Sequence, residues 1–122
     1  MFHCKYSHGE KAGSRVSDLY EVCGQAEKSV KWCSNVSALV DRLMYREIQR
    51  NKIGSTRFEV GNIRKLKTLK NKLAHVACKV EIAIVQPGVD SKAITGEMAR
   101  LLNGTASYIL DTYGIKLCVI CS

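Results

Sequence analysis

The feature that most constrains the fold is an unbroken apolar run, Ile82 to Val85, which ends at Gln86-Pro87-Gly88. Its β-branched residues favour a strand, and the Pro-Gly pair stops it. A strand without polar alternation is buried on both faces, which is typical of an interior strand in a mostly parallel sheet. Parallel neighbours need long crossover connections, so the rest of the chain must supply helices between strands.

The remaining pattern supplies those elements in the order strand, three helices, strand, two short helices, strand. Apolar residues at spacings of three and four predict the helices, and Gly104 interrupts the last of them. The predicted strands are residues 1–7, 79–85 and 117–121, and the predicted helices cover about 17–33, 36–51, 62–75, 91–103 and 105–113. We expect a single α/β domain over residues 1–122: a three-layer unit whose small, mainly parallel three-stranded sheet is flanked by helices.

The charge balance points to a polyanionic partner. The chain has 19 Lys and Arg against 11 Asp and Glu, a formal net charge of +8 over 122 residues. Such an excess suits nucleic acid or an anionic membrane surface, although it also serves solubility. No apolar run approaches the roughly 18 residues of a spanning helix, and no apolar leader opens the chain. The expected partner is nucleic acid, with no membrane.

Cysteine usage indicates a reducing compartment. Most of the thiols fall inside apolar patterns, where a free cysteine behaves as a small hydrophobe. We therefore expect them to be reduced and buried, in a cytoplasmic protein. A metal or redox role is a third, weaker hypothesis, because Cys118 and Cys121 are three apart on a strand and face opposite sides. The six are Cys4, Cys23, Cys33, Cys78, Cys118 and Cys121.

The first strand and the helix after it carry a set of polar side chains. His3 and Lys5 are two residues apart on a strand, so they point to the same face. The helix buries one apolar stripe and presents a neighbouring polar one. Because the helix directly follows the strand, it can aim its polar side chains at the strand's lysine. That second stripe consists of Glu21, Gln25, Lys28 and Trp32.

This order of parts resembles the second half of a PD-(D/E)XK nuclease, of the restriction-endonuclease-like superfamily. That family's core has an aspartate on one strand, an acid-x-lysine triplet on the next, and often a glutamine or lysine on the following helix. Here His3-Cys4-Lys5 stands in the place of the triplet, and Gln25 and Lys28 in the helix place. The resemblance is strongest over residues 1–35 and architectural to about residue 86.

The resemblance implies a nuclease-type module that cleaves DNA phosphodiesters with Mg²⁺ or Mn²⁺. Lys5 would be the catalytic lysine and His3 the degenerate acid position. Gln25 and Lys28 would be the helix partners, and Glu21 a carboxylate for the metal. Histidine is a poor magnesium ligand, and the strand with the aspartate is missing from the pattern. We therefore expect an incomplete module, completed by a second copy or by a larger, defence-associated parent protein.

The third predicted helix leaves a different function open. This helix is the most basic of the predicted elements. Its inward face is apolar, and its other face carries the basic side chains. Phosphate contacts from such a face would add salt-dependent affinity, although a solvated surface is the plainer interpretation. The alternative to a nuclease is thus a non-catalytic nucleic-acid-binding or assembly domain, with an open sheet edge that pairs with a partner. The basic side chains are Arg64, Lys65, Lys67, Lys70 and Lys72.

Overall fold

The computed structural model describes residues 1–5, 15–87, 89–92 and 94–121. In this part of the chain there are three β-strands and four α-helices. The elements are β1 (Phe2–Cys4), α1 (Val16–Ser29) with a 3₁₀ turn after it (Val30–Trp32), α2 (Val36–Asn51), α3 (Ile63–Leu73), β2 (Ile82–Gln86), α4 (Gly96–Tyr113) and β3 (Leu117–Cys121). The predicted α/β class and small sheet are confirmed.

The chain divides into two compact units. Unit 1 comprises residues 1–31 and 81–122, and unit 2 comprises residues 32–80. Unit 1 contains the sheet, α1 and α4, whereas unit 2 contains α2 and α3. The single α/β domain over residues 1–122 remains a prediction.

The sheet of unit 1 is parallel throughout, with β2 between β1 and β3. Its register pairs Phe2 with Ala83 and Ile82 with Leu117. Four of the five residues of β2 are buried, as expected for an interior strand. The predicted strand at residues 79–85 is therefore correct in kind, although it begins three residues later and includes Gln86.

Both helices of unit 1 lie on one face of this sheet. Helix α1 contacts β1, β2 and α4, and α4 contacts β3. Two right-handed crossovers that step in the same direction across a sheet place their helices on the same side. The three-layer arrangement that the sequence predicted is therefore not found within this unit. The opposite face carries the exposed side chains Phe2, Cys4, Cys118 and Ile120.

The uncovered face also explains the cysteines. All six are free, as predicted, but only Cys23 is buried. Cys4 and Cys118 lie on edge strands and point away from the helices, so both are exposed. Cys78 is also exposed, in the segment between α3 and β2. The expectation that most of these thiols are buried is wrong.

Helix α4 corrects two expectations about the C-terminal third. It begins after Thr95, whose Oγ1 accepts a hydrogen bond from the backbone N–H of Met98 (3.3 Å), and not after residue 90 or 91. It then continues through Gly104 and ends at Gly114, which has a φ of +67°. A glycine inside a helix costs only about 1 kcal/mol, and burial of α4 against α1 and the sheet outweighs it. There is one helix where two short ones were predicted.

Unit 2 has a shallow core. Helix α2 begins at the cap residue Asn35 and α3 at the cap residue Asn62, and the two helices pack together. The buried residues of α2 are Val40 and Glu47, and α3 has none. Leu69, which the periodicity places inward, is 47% exposed. No helix in the described part of the chain is long and apolar enough to cross a membrane.

Candidate functional site in unit 1

Polar side chains from β1 and α1 meet on the helix-covered face of the sheet. The Lys5 ammonium lies 2.6 Å from Oε2 of Glu21. The Gln25 amide donates a hydrogen bond to Oε1 of the same carboxylate, at 3.3 Å. The Gln25 side chain also faces the His3 imidazole. These four residues, His3, Lys5, Glu21 and Gln25, are called the Lys5 cluster below.

The cluster follows from the matching repeats of a strand and a helix. Two residues on a strand span about 6.6 Å, because the rise is about 3.3 Å per residue. Four residues on a helix span about 6 Å, at 1.5 Å per residue. Helix α1 runs back along β1, so the later strand residue, Lys5, meets the earlier helix residue, Glu21. His3 correspondingly meets Gln25, and the convergence of Lys5 and Gln25 expected from the sequence is observed.

The cluster combines a charged amine with a neutral ring. The hydrogen bond to Glu21 raises the pKa of Lys5, so the amine is protonated at neutral pH. Burial, together with the nearby N-terminal ammonium, lowers the pKa of His3, while Gln25 acts in the opposite direction. The imidazole is therefore neutral at pH 7.

Three neighbouring side chains have buried polar atoms without a hydrogen-bond partner among the described residues. They are Nε2 of His3, Oδ2 of Asp18 and both amide atoms of Gln86. An unpaired buried polar group costs about 1–3 kcal/mol, so each of these atoms needs a partner beyond the described residues. Asp18 lies one turn before Glu21 on α1, and its charge helps to hold the Lys5 ammonium.

Gln86 belongs to the same side of the sheet as His3. The register pairs His3 with Ile84, and Gln86 is two residues further along β2, so both side chains point toward the helices. It is only 1% exposed and stands at the carboxyl end of the central strand, where α/β proteins commonly bind ligands. The sequence places Gln86 at the stop signal that ends the apolar run. A polar residue at the end of an apolar strand was the available signal for Gln86.

Lys28 is not brought into the cluster. It lies on α1 beyond Gln25, is exposed, and forms no hydrogen bond or ion pair with the residues that the structure describes. No contact among the described residues therefore supports the expected role of Lys28 as a helix partner.

Among the polar residues around Lys5, the carboxylates are better ligands for a hard cation than the histidine is. No group of three or more His, Cys, Asp or Glu placed to hold a metal occurs within the described ranges. Both oxygens of Glu21 are engaged, one by Lys5 and one by Gln25. The unpartnered Oδ2 of Asp18 adds a second carboxylate one turn away. Mg²⁺ is commonly held by one or two carboxylates plus water and phosphate oxygens, and Asp18 and Glu21 are the two carboxylates of α1 that act on Lys5.

Unit 2 carries the whole net charge of the protein. It holds 11 of the 19 Lys and Arg but only 3 of the 11 Asp and Glu, whereas unit 1 has eight of each. On α3, the side chains of Arg64, Lys65, Lys67 and Lys72 are exposed. Lys70 differs, because its ammonium pairs with Asp41 of α2 at 2.5 Å. Of the five predicted nucleic-acid-binding residues, four thus face solvent and one is held within the unit.

Comparison of the chain with models of known protein families, with curated protein sequences and with solved structures finds no match. The resemblance to the restriction-endonuclease-like superfamily stays a prediction from the sequence.

Proposed function

We propose that unit 1 is a nuclease-type module with a restriction-endonuclease-like half core, which hydrolyses DNA phosphodiesters with Mg²⁺ or Mn²⁺. The observation that carries this proposal is the convergence of Lys5 and Gln25 on one carboxylate, Glu21. Phosphodiester hydrolysis needs a charged amine and a carboxylate close together. In this site the two groups lie within hydrogen-bond distance of each other.

Each side chain has a role that its contacts support. The protonated Lys5 ammonium faces the charge that builds on the phosphate, and its exposed side leaves room for a substrate oxygen. Gln25 holds Glu21 in position from the other side. Asp18 and Glu21 are the residues that would hold the ion, which supplies an activated water and polarises the phosphate when bound. His3 is neutral and half-buried, and it can accept a proton at its buried Nε2.

The fold supports completion by additional polypeptide. Both β1 and β3 are edge strands, so a further strand from a second copy or from a larger, defence-associated parent protein can pair with either. In the resembled family such a strand carries the aspartate. The free state of all six cysteines supports a cytoplasmic location for the protein.

The test is cleavage of supercoiled plasmid by the purified chain. Under the proposal, nicked and linear DNA accumulate with Mn²⁺ or Mg²⁺ and not with EDTA. Cleavage that persists unchanged in the Lys5→Ala variant would point to a contaminating nuclease and reject the proposal.

A second candidate function is non-catalytic nucleic-acid binding or assembly, and the confinement of the net charge to unit 2 favours it. The exposed basic side chains of α3 provide phosphate contacts that need no metal. Under this candidate the protein binds DNA or RNA with strong salt dependence, and cleaves neither with any divalent ion.

A further inference from the structure

Unit 2 contains a partly open cavity of about 150 Å³. It lies between α2, α3 and the segment that connects them, and most of its wall is apolar. We infer that this cavity takes one unpaired base of a single-stranded nucleic acid, with the neighbouring phosphates on its two arginines. The lining residues are Leu43, Arg46, Glu47, Arg57, Phe58 and Leu66.

The cavity has room for an aromatic ring. Enclosed cavities of about 150 Å³ hold one benzene ring, and this cavity is in addition partly open to solvent. Leu43 and Leu66 supply apolar wall from the two helices, and Phe58 adds an aromatic ring. Aromatic side chains are the surfaces on which unpaired bases stack.

The charge of the wall selects the backbone that carries the ring. Arg46 and Arg57 line the cavity, and neither forms an ion pair with an acid in the described part of the chain. A guanidinium group matches the oxygens of a phosphate in a bidentate geometry. Both arginines belong to the unit with the net charge of +8. A ligand with phosphate groups would pair with these positive charges, whereas an uncharged aromatic ligand would not.

The cavity is also held in shape by a buried charge. Glu47 is 4% exposed and lies in the apolar stripe of α2, where a hydrophobic residue would be expected. Its carboxylate accepts hydrogen bonds from Thr56 Oγ1 at 2.5 Å and from the backbone N–H of Arg57 at 3.0 Å. These bonds fix the segment that carries Arg57 and Phe58. Burial of a carboxylate at this position is energetically unfavourable. Its hydrogen bonds keep the wall of the cavity in one conformation.

A duplex cannot supply the ligand, because its bases are paired and stacked. Only an unpaired nucleotide can place its ring in the cavity while its phosphates remain at the surface. The inference rests on the proposed affinity of unit 2 for nucleic acid, and it adds a preference for single strands. It is independent of cleavage by the Lys5 cluster.

The experiment measures the affinity of the full chain for three labelled oligonucleotides of equal length and charge, in EDTA. They are oligo-dT, oligo-dA and an abasic strand. We expect oligo-dT to bind about tenfold more tightly than the abasic strand, in line with the stacking of bases on aromatic side chains. Oligo-dA should likewise bind more tightly than the abasic strand, because every base can stack on an aromatic ring. Phe58→Ala should reduce oligo-dT to the abasic level and leave the abasic affinity unchanged.

A matched control separates the cavity from the basic face. Lys67→Ala, on the exposed side of α3, should weaken all three strands by the same factor. A direct readout needs no variant: thymidine monophosphate should shift the methyl NMR signals of Leu43 and Leu66 in the wild-type protein. Equal affinity for oligo-dT and the abasic strand would overturn the inference and leave nucleic-acid binding intact. Failure to bind any of the three would reject both.

Discussion

Lys5 and Glu21 join β1 to α1 through an ion pair of 2.6 Å between Nζ and Oε2. Both side chains are partly exposed, at 32% and 48%, and exposed ion pairs contribute little to stability. The pair is therefore better explained by the position it gives to the charges than by the stability it adds.

Lys5→Ala should abolish cleavage without unfolding the protein. Loss of a single group that stabilises developing charge lowers the rate of an enzyme by about 100-fold or more. DNA affinity should stay near the wild-type value, since unit 2 carries the net charge. Plasmid cleavage and fluorescence anisotropy check the two halves of the prediction.

The control for that variant is Lys116→Ala, which removes an exposed lysine between α4 and β3. It should cleave DNA at the wild-type rate. If both variants lose activity equally, net charge rather than the Lys5 cluster governs cleavage.

Lys67→Ala should lower the salt dependence of nucleic-acid binding more than Lys70→Ala. Each lysine that contacts phosphate contributes about one unit to the slope of log K against log salt. Lys67 is exposed, whereas the Lys70 ammonium already pairs with Asp41. Titrations at several salt concentrations measure both slopes. A larger change in the slope for Lys70→Ala would contradict the structure of unit 2.

Glu47 should make the stability of unit 2 sensitive to acid. Hydrogen bonds from Thr56 and Arg57 lower the pKa of Glu47 below its usual value of 4.5. A carboxyl group whose pKa is lower when folded stabilises the protein above the unfolded pKa, and this contribution is lost as pH falls through the folded pKa. Urea unfolding at pH 7 and below pH 4.5 measures the loss of stability on acidification. This loss should be smaller for Glu47→Gln than for the wild type. An identical loss in both proteins would count against the burial of this carboxylate.

Gln86→Leu should stabilise the protein while reducing its function. The Gln86 amide is buried and lacks a partner among the described residues, so an apolar side chain of similar size removes a cost of about 1–3 kcal/mol. Residues that are unfavourable for stability and placed at the end of a central strand are typical of binding sites. Thermal unfolding and plasmid cleavage test the two effects. Ile84→Val, in the same strand, is the control and should destabilise by about 0.5–1.5 kcal/mol.

Thiol labelling should separate the six cysteines by their position in the fold. Cys4 and Cys118 lie on the uncovered face of the sheet and should react with iodoacetamide in the native protein. Cys23 is buried between α1 and α4, and burial raises the pKa of its thiol, which disfavours the reactive thiolate. Mass spectrometry of labelled peptides should find Cys23 modified only after denaturant is added. Rapid native labelling of Cys23 would mean that α1 does not pack as described.

Local signals in the sequence were sufficient for several elements. Helix α2 has the predicted limits, 36–51, because the cap residue Asn35 and the apolar stripe agree. Strand β3 also has the predicted limits, since Gly114 ends the helix before it. The side-chain periods of β1 and α1 were enough to place Lys5 and Gln25 together.

The remainder depends on long-range packing that no local pattern contains. Lys70 and Asp41 are 29 positions apart, and their pairing exists only because α2 and α3 are neighbours. Continuation of α4 through Gly104 likewise depends on packing against α1 and the sheet, which outweighs a local preference. The exposure of Cys4 and Cys118 follows from the shared face of the two helices, a property of topology rather than of residue type.

The agreement between the two-residue step of β1 and the four-residue step of α1 has a consequence for how this protein can change. A single residue inserted between Met1 and Lys5 would turn the lysine to the bare side of the sheet and put Cys4 in its place. The sheet would still form, yet the ammonium would no longer reach Glu21. Any descendant that keeps this ion pair must therefore keep the parity of this strand, whatever else it alters.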